Sequence, residues 1–272
     1  MPGVGMILIG ELINATRKRV AKAIGKRDED FIRELAQTQE KNGAAYIDLN
    51  AGTGKGRDRE KEDIGWLMET VSGSVDAGLC IDSADPDVIR HCMSLSKGRK
   101  LMINSISGEE KSISLLLPIM KEHPECNIIC LAMDDSGIPP DTGKRVEIGG
   151  KLLSLLREAG VPPENIFMDA LVQPVSTDSA NGLIFLESIR EIKKRFPSVN
   201  TTCGLSNVSF GLPDRGMLNR YFLAMSMACG LDSAIVDPLS PGIREAVSTA
   251  SALIGKDEYC MNYIRKCRES LE

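Results

Sequence analysis

The sequence predicts one closed barrel of eight parallel strands, each followed by a helix, and three observations carry that expectation. Short apolar runs of strand length recur eight times along the 272 residues, at wide and fairly regular intervals. Segments with helical periodicity separate them, and strands alternating with helices of this length imply a parallel sheet. Eight such units fill the chain, as in a (β/α)8 TIM barrel, which typically takes roughly 250 residues. A doubly wound open sheet would need a switch-point signal. No Gly-x-Gly-x-x-Gly follows the first strand, and no Gly-x-x-x-x-Gly-Lys-Ser/Thr occurs. No Pro/Ser-rich linker or composition break divides the chain, so residues 1–272 are expected to form a single domain.

The strands are expected, in order, at Met6–Gly10, Tyr46–Asn50, Gly78–Asp82, Leu101–Asn104, Asn127–Leu131, Ile166–Asp169, Thr201–Gly204 and Ala234–Asp237. Each carries few charges, as a strand covered on both faces should. Between the first two, Phe31, Leu35 and Thr38 mark a helix face, with Asp28 or Asp30 as its cap. Ile64, Leu67, Met68 and Val71 mark the next helix, and Leu152, Leu153, Leu155 and Leu156 a later one. Ile184, Phe185, Ile189 and Ile192 continue the pattern, as do Leu218, Phe222, Met225 and Met227. The tail from Asp257 to Glu272 is expected to add a closing helix.

Composition narrows the function. The net charge is −5, from 33 Lys+Arg and 38 Asp+Glu spread along the chain, so a nucleic-acid partner is not expected. No run approaches the 18 or so apolar residues of a membrane span, and Met1–Gly10 lacks the pattern of a secretory signal. A cytoplasmic protein with no membrane attachment is the expectation. The eight cysteines form no Cys-x-x-Cys and are expected to be reduced thiols. With only His91 and His123, the ligands for a histidine-based zinc site are missing.

In this architecture the chemistry sits at the C-terminal ends of the strands. Those ends read Gly10-Glu11-Leu12-Ile13-Asn14, Asp48-Leu49-Asn50, Ile81-Asp82-Ser83, Ile103-Asn104-Ser105, Ala132-Met133-Asp134, Met168-Asp169, Gly204-Leu205-Ser206-Asn207 and Val236-Asp237-Pro238. Asp and Asn dominate them, while Lys, Arg and His are absent. Such residues also cap the helices that follow barrel strands. Many converging on one opening, however, make a site for a flat heterocycle with several N–H groups, which carboxylates and amides can match.

These residues resemble the pterin-binding barrel family, and within it the methyltetrahydrofolate:corrinoid protein methyltransferases. The resemblance runs in order from Met6 to about Ile254. It is carried by Gly10-Glu11…Asn14, Asp48-Leu49-Asn50, Ile81-Asp82-Ser83, Ile103-Asn104-Ser105, Met168-Asp169…Gln173-Pro174-Val175 and, most specifically, Gly204-Leu205-Ser206-Asn207-Val208-Ser209. It implies an enzyme that moves a methyl group between N5 of tetrahydrofolate and the cobalt of a corrinoid. Asp82, Asn104 and Asp169 would bond the pterin, and Asn207 would reach N5, with Gly204 and Ser206 lining its loop. Asp82 and Asp169 would also feed protons to the reaction. Glu11, Asn14, Asn50 and Met133 would complete the opening, and Arg215 would meet the outer folate or the partner. The cobalt-ligating Asp-x-His-x-x-Gly is missing, so the corrinoid (cobalamin) is expected on a separate partner protein. By the same resemblance the enzyme is expected to be a homodimer.

Two other readings stand beside it. A dihydropteroate synthase would use the same pocket, but the last strand ends Ile235-Val236-Asp237-Pro238 and lacks that family's Arg-x-His. A folate-binding subunit without catalysis would be favoured by loss of Asn207 or Asp169, and both are present. Lys55–Glu62 reads as a solvated loop and helix start, Asp141-Thr142-Gly143-Lys144 as a turn opening a helix, and Cys203 as a packing residue. His91 and His123 are expected on outer helices.

Overall fold

The aliphatic runs pair side by side, each satisfying its neighbour's backbone. The computed structural model describes residues 5–54 and 56–269. Its strands are β1 (Ile7–Asn14), β2 (Ala44–Asn50), β3 (Gly78–Asp82), β4 (Leu101–Ser107), β5 (Asn127–Leu131), β6 (Ile166–Asp169), β7 (Asn200–Thr202) and β8 (Ser233–Val236). They run in the order β7-β6-β5-β4-β3-β2-β1-β8. Every pairing is parallel. The two ends of that order also meet. A parallel bridge joins Gly204 to Ile235, where the Ile235 N–H donates to the Cys203 carbonyl at 2.8 Å. Below it, Ser233 Oγ donates to the Thr201 carbonyl at 3.0 Å. The sheet closes into a barrel, which leaves no exposed edge.

The helices are α1 (Lys18–Lys26), α2 (Glu29–Lys41), α3 (Arg57–Ser72), α4 (Pro86–Leu95), α5 (Glu110–Glu122), α6 (Thr142–Glu158), α7 (Asn181–Arg195), α8 (Arg215–Ala228), α9 (Ile243–Leu253) and α10 (Met261–Glu269). Their starts follow capping chemistry. Asp28 accepts the Phe31 N–H at 3.2 Å, Asp85 the Asp87 N–H at 2.9 Å, and Asp141 the Lys144 N–H at 2.9 Å. Two helices, not one, connect β1 to β2. They are split at Arg27, whose φ of 55° ends the first before Asp28 caps the second.

The expected spans coincide with β3, β5 and β6, and the others shift at their ends. β1 continues to Asn14 through a register shift after Gly10, and β7 is only three residues long. On α2 the buried stripe is Ile32, Ala36 and Gln39, one position beyond the expected Phe31, Leu35 and Thr38, which are half-buried. Met225 on α8 is exposed, because the inward stripe there is Phe222, Leu223 and Met227. The closing helix begins at Met261 after a short turn; residues 270–272 of the expected tail, like Lys55, lie outside the described residues.

Two apolar layers hold the barrel. The larger lies between strands and helices, with Ile13, Ile47, Leu49, Leu79, Ile81 and Ile103 facing Ile32, Ile64, Leu67 and Ile89 among others. A small separate cluster fills the barrel itself: Ile9, Tyr46, Cys80, Met102, Ile129 and Phe167. This inner layer is tightly fitted. A Cβ on Gly78 would come within 2.6 Å of the Tyr46 ring, whose hydroxyl takes the Asn127 amide at 2.5 Å. The barrel therefore has a packed apolar floor, and anything above it is reached from the C-terminal end of the strands.

Candidate active site in the barrel mouth

Side chains alternate across a strand, so the residue two beyond each floor member faces inward one layer higher. At that step the chemistry changes from apolar to polar, except on β5, where Ile129 is followed by Leu131. Ile9 is followed by Glu11, Tyr46 by Asp48, Cys80 by Asp82, Met102 by Asn104, Phe167 by Asp169, and Ile235 by Asp237. Five carboxylates and an amide thus ring the opening.

The β2–β4 side is linked by hydrogen bonds. Asn50 donates to Asp82 Oδ2 at 2.8 Å, and Asn104 donates to Asp48 Oδ1 at 3.4 Å. Asp48 is only 2% exposed. Burial pushes its carboxyl up to about 8, and the charges of Asp82 and Glu11 add to this, against hydrogen bonds to Cys80 and Asn104. Burial also raises Asp82, opposed by Asn50 and assisted by Glu60. Glu11 is raised by burial, with Arg17 opposing, Asp237 adding, and Arg215 opposing. Burial thus favours the protonated form of Asp48, which would offer a donor as well as an acceptor.

Asp169 faces this group from β6. Its carboxyl is pushed up to about 7 by burial, against the Leu171 N–H, the Arg145 guanidinium and the Gly204 backbone. The Leu171 N–H reaches Asp169 Oδ1 at 2.6 Å. That bond needs Leu171 in the left-handed region, at φ 65°, a conformation that costs an L residue roughly 1 to 2 kcal/mol.

The β7–α8 connection forms a tight turn over Leu205–Ser209. It leaves the Asn207 side chain exposed above the opening, and among the described residues its amide has no hydrogen-bond partner. Gly204 makes room for it, since a Cβ there would lie 3.0 Å from Asn207 Nδ2. Arg215 braces the turn, donating from Nη2 to the Ser206 carbonyl at 2.7 Å and from Nε to Ser209 Oγ at 3.0 Å. This guanidinium is occupied within its own loop while its charge still reaches Glu11.

The structure thus gathers Glu11, Asp82, Asn104 and Asp169 in one layer, with Asn50 just above and Gly204, Ser206 and Asn207 overhanging. Asn14 and Met133 sit at the rim in local turns. The Asn14 amide oxygen takes Thr16, and the Met133 carbonyl takes the Gly108 N–H at 2.7 Å. Asp48 and Arg145 belong to this environment although sequence reasoning did not choose them, and so does Asp237, which the sequence leaves equally readable as a cap or a mouth contact. The two-residue step from Tyr46 would have found Asp48. Asp237 also accepts the Leu239 N–H at 2.9 Å, so it caps and faces the opening at once.

Other residues stand apart. His91 lies on α4 beside Gly65 of α3, and His123 follows α5 near Glu125. Among the described residues no group of three or more His, Cys, Asp or Glu is arranged to hold a metal ion. The Cys203 thiol is driven well above its usual range by burial and by Asp169, which suits packing and not nucleophilic attack. Asp141 caps α6, and Lys144 pairs with Glu147 outside the barrel.

Comparison with known proteins rests on the same residues. The pterin binding enzyme family matches residues 10–237, a span that starts one residue before Glu11 and ends on Asp237. The chain belongs to this family. Among pterin binding enzymes it is 37% identical to a methylcorrinoid:tetrahydrofolate methyltransferase of Eubacterium limosum, over 97% of each chain. It is 32% identical over 85% of its length to a methionine synthase of Mycobacterium tuberculosis, matching 20% of that larger protein. In fold it resembles a dihydropteroate synthase of Yersinia pestis, with a TM-score of 0.71 and 16% identity over 92% of this chain and 93% of the other. That last likeness speaks for the barrel fold alone.

Proposed function

We propose that this protein transfers a methyl group between N5 of tetrahydrofolate and the cobalt of a separate corrinoid protein. The observation that carries the reading is the full-length likeness to the methylcorrinoid:tetrahydrofolate methyltransferase, at 37% identity over 97% of both chains. The opening fits a pterin on its own chemistry. Asp82 and Asp169 are desolvated carboxyls with room to accept further N–H donors beside those of Asn50, Leu171 and Gly204; an aminopterin edge supplies a pair of them, and two parallel bonds to a carboxylate would both orient and select it.

Asp82, Asn104 and Asp169 would hold the pterin, with Asn50 and Glu11 supporting that side and Met133 and Asn14 at its edge. Gly204 and Ser206 would shape the turn that places the unpartnered Asn207 amide on N5. When methyltetrahydrofolate donates its methyl, the amine nitrogen cannot leave as an anion. It needs a proton or a strong hydrogen bond as the C–N bond breaks. Asn207 can donate to that nitrogen, and a buried carboxyl whose protonated form is favoured, such as Asp48, can supply the proton through the network. The cobalt, brought by the partner, would be the nucleophile that takes the methyl in this direction. This chain's part is to hold the transferred carbon in line.

The same reading takes the enzyme as a cytoplasmic homodimer. No helix among the described residues is long and apolar enough to cross a membrane. The exposed stripe Met217, Tyr221 and Met225 on α8, beside Leu253 on α9, offers an apolar face for self-association. Light scattering is expected to return twice the chain mass; a monomer would remove the dimer from the proposal, and cell fractionation should recover the protein in the cytosol.

The decisive assay is a binding titration with methyltetrahydrofolate, followed by mixing with reduced free cobalamin. Saturable binding and methylcobalamin formation are expected. Absence of binding would defeat the reading. Binding without transfer would turn it into a folate-carrying subunit.

A further inference from the structure

We infer that Arg145 is a positioning residue for the pterin site, clamping the turn after β6 so that Asp169 presents its carboxylate to the ligand. The inference rests on the reading of Asp169 as a pterin-binding group. Arg145 lies in the first turns of α6, outside the ring of strand ends, and is only 1% exposed, the bulkiest of the fully buried side chains. Its Nε donates to the Pro139 carbonyl at 2.9 Å. Its Nη1 donates to the carbonyls of Ala170 at 2.8 Å and Leu171 at 2.9 Å. One planar group thereby ties the loop entering α6 to the two peptides that follow Asp169.

Those two peptides set the carboxylate. Leu171 turns through φ 65°, and the turn brings its N–H back to Asp169 Oδ1. Arg145 grips the same turn through the Ala170 and Leu171 carbonyls, holding a conformation the residue type disfavours. Nothing in this arrangement is a direct ion pair at bonding distance, so the guanidinium charge stays available to Asp169 through the low-dielectric interior. Asp169 shares the opening with the carboxyls of Glu11, Asp48, Asp82 and Asp237; the ionisable groups coupled to it most directly are Arg145 from α6 and the buried Cys203 thiol after β7, while Asp141 faces Arg145 from the start of α6. Arg145 is the cation among them. A lysine keeps the charge but cannot place donors on both segments, and a methionine keeps only the volume.

The test is equilibrium binding of methyltetrahydrofolate between pH 6 and pH 9 to wild type, Asp169→Asn, Arg145→Met and Arg145→Lys, with folding checked by circular dichroism. Wild-type affinity should rise with pH as Asp169 ionises, and Asp169→Asn should bind weakly and lose that rise. Arg145→Met should bind at least about tenfold more weakly at pH 7 and shift the midpoint upward by about one pH unit, because a neighbouring cation holds a carboxyl down by that order. Arg145→Lys should keep the wild-type midpoint yet bind severalfold more weakly. A purely structural role would lower the melting temperature without moving the midpoint. Wild-type affinity and midpoint in Arg145→Met would overturn the inference. Should that variant not fold, wild-type affinity in Arg145→Lys would overturn it instead. Binding lost in Asp169→Asn but intact in both Arg145 variants defeats the clamp alone, whereas no binding by wild type defeats the functional reading beneath it.

Discussion

Replacing Asn207 by alanine is expected to slow methyl transfer by about two to three orders of magnitude while weakening methyltetrahydrofolate binding by less than about tenfold. The asymmetry follows from where the residue stands. The pterin edge would be held by the carboxylates deeper in the barrel, and Asn207 overhangs them from an exposed turn with its amide uncommitted. A donor aimed at N5 gains most as charge develops there, so its loss falls on the rate more than on affinity. Stopped-flow transfer to reduced cobalamin, set beside a binding titration, separates the two quantities. An unchanged rate would remove Asn207 from the chemistry. Equal losses in rate and affinity would recast it as a simple binding contact.

Replacing Asp48 by asparagine should make the ligand-free protein melt higher than wild type at pH 8, with the gap closing toward pH 4. Burial lifts the folded carboxyl to about 8, while the unfolded chain releases its proton near 4. Across that window the folded state binds the extra proton, so stability falls as pH rises and the loss is complete above about 8. An asparagine of the same shape cannot ionise and escapes the loss, which is on the order of a few kcal/mol at the alkaline end. Thermal melts of both proteins from pH 4 to pH 9 provide the check. Parallel curves would mean that Asp48 is not the group held neutral by the barrel. Such a gain is what a binding site kept at the expense of stability would give, as desolvated polar clusters awaiting a ligand commonly do.

The eight strands were legible because a parallel strand covered on both faces reads as one unbroken apolar run, and those runs stand out from the helices between them. The same continuity hid which residues face inward. Leu49 and Tyr46 look alike as apolar neighbours, yet one packs on helices and the other on the floor. Sequence reasoning therefore chose Asn50 at the end of β2 and passed over Asp48, although both lie near Asp82. Asn207 was found because its turn has a distinctive local sequence. Arg145 was not, since its Ala170 and Leu171 partners lie 25 and 26 positions away and nothing beside it marks a buried cation. The stripe on α2 slipped by one residue for a tertiary reason: the Gln39 side chain is buried to accept the Leu12 N–H at 3.0 Å where β1 loses its regular register.

The floor of Ile9, Tyr46, Cys80, Met102, Ile129 and Phe167 turns the barrel into a cul-de-sac. If folate sits above it, folate and the corrinoid protein share one doorway. The smaller molecule must then enter first and leave last. The catalytic cycle becomes a queue, in which a partner that lingers blocks the exchange of spent folate for fresh, and turnover depends on how quickly the visiting protein steps away.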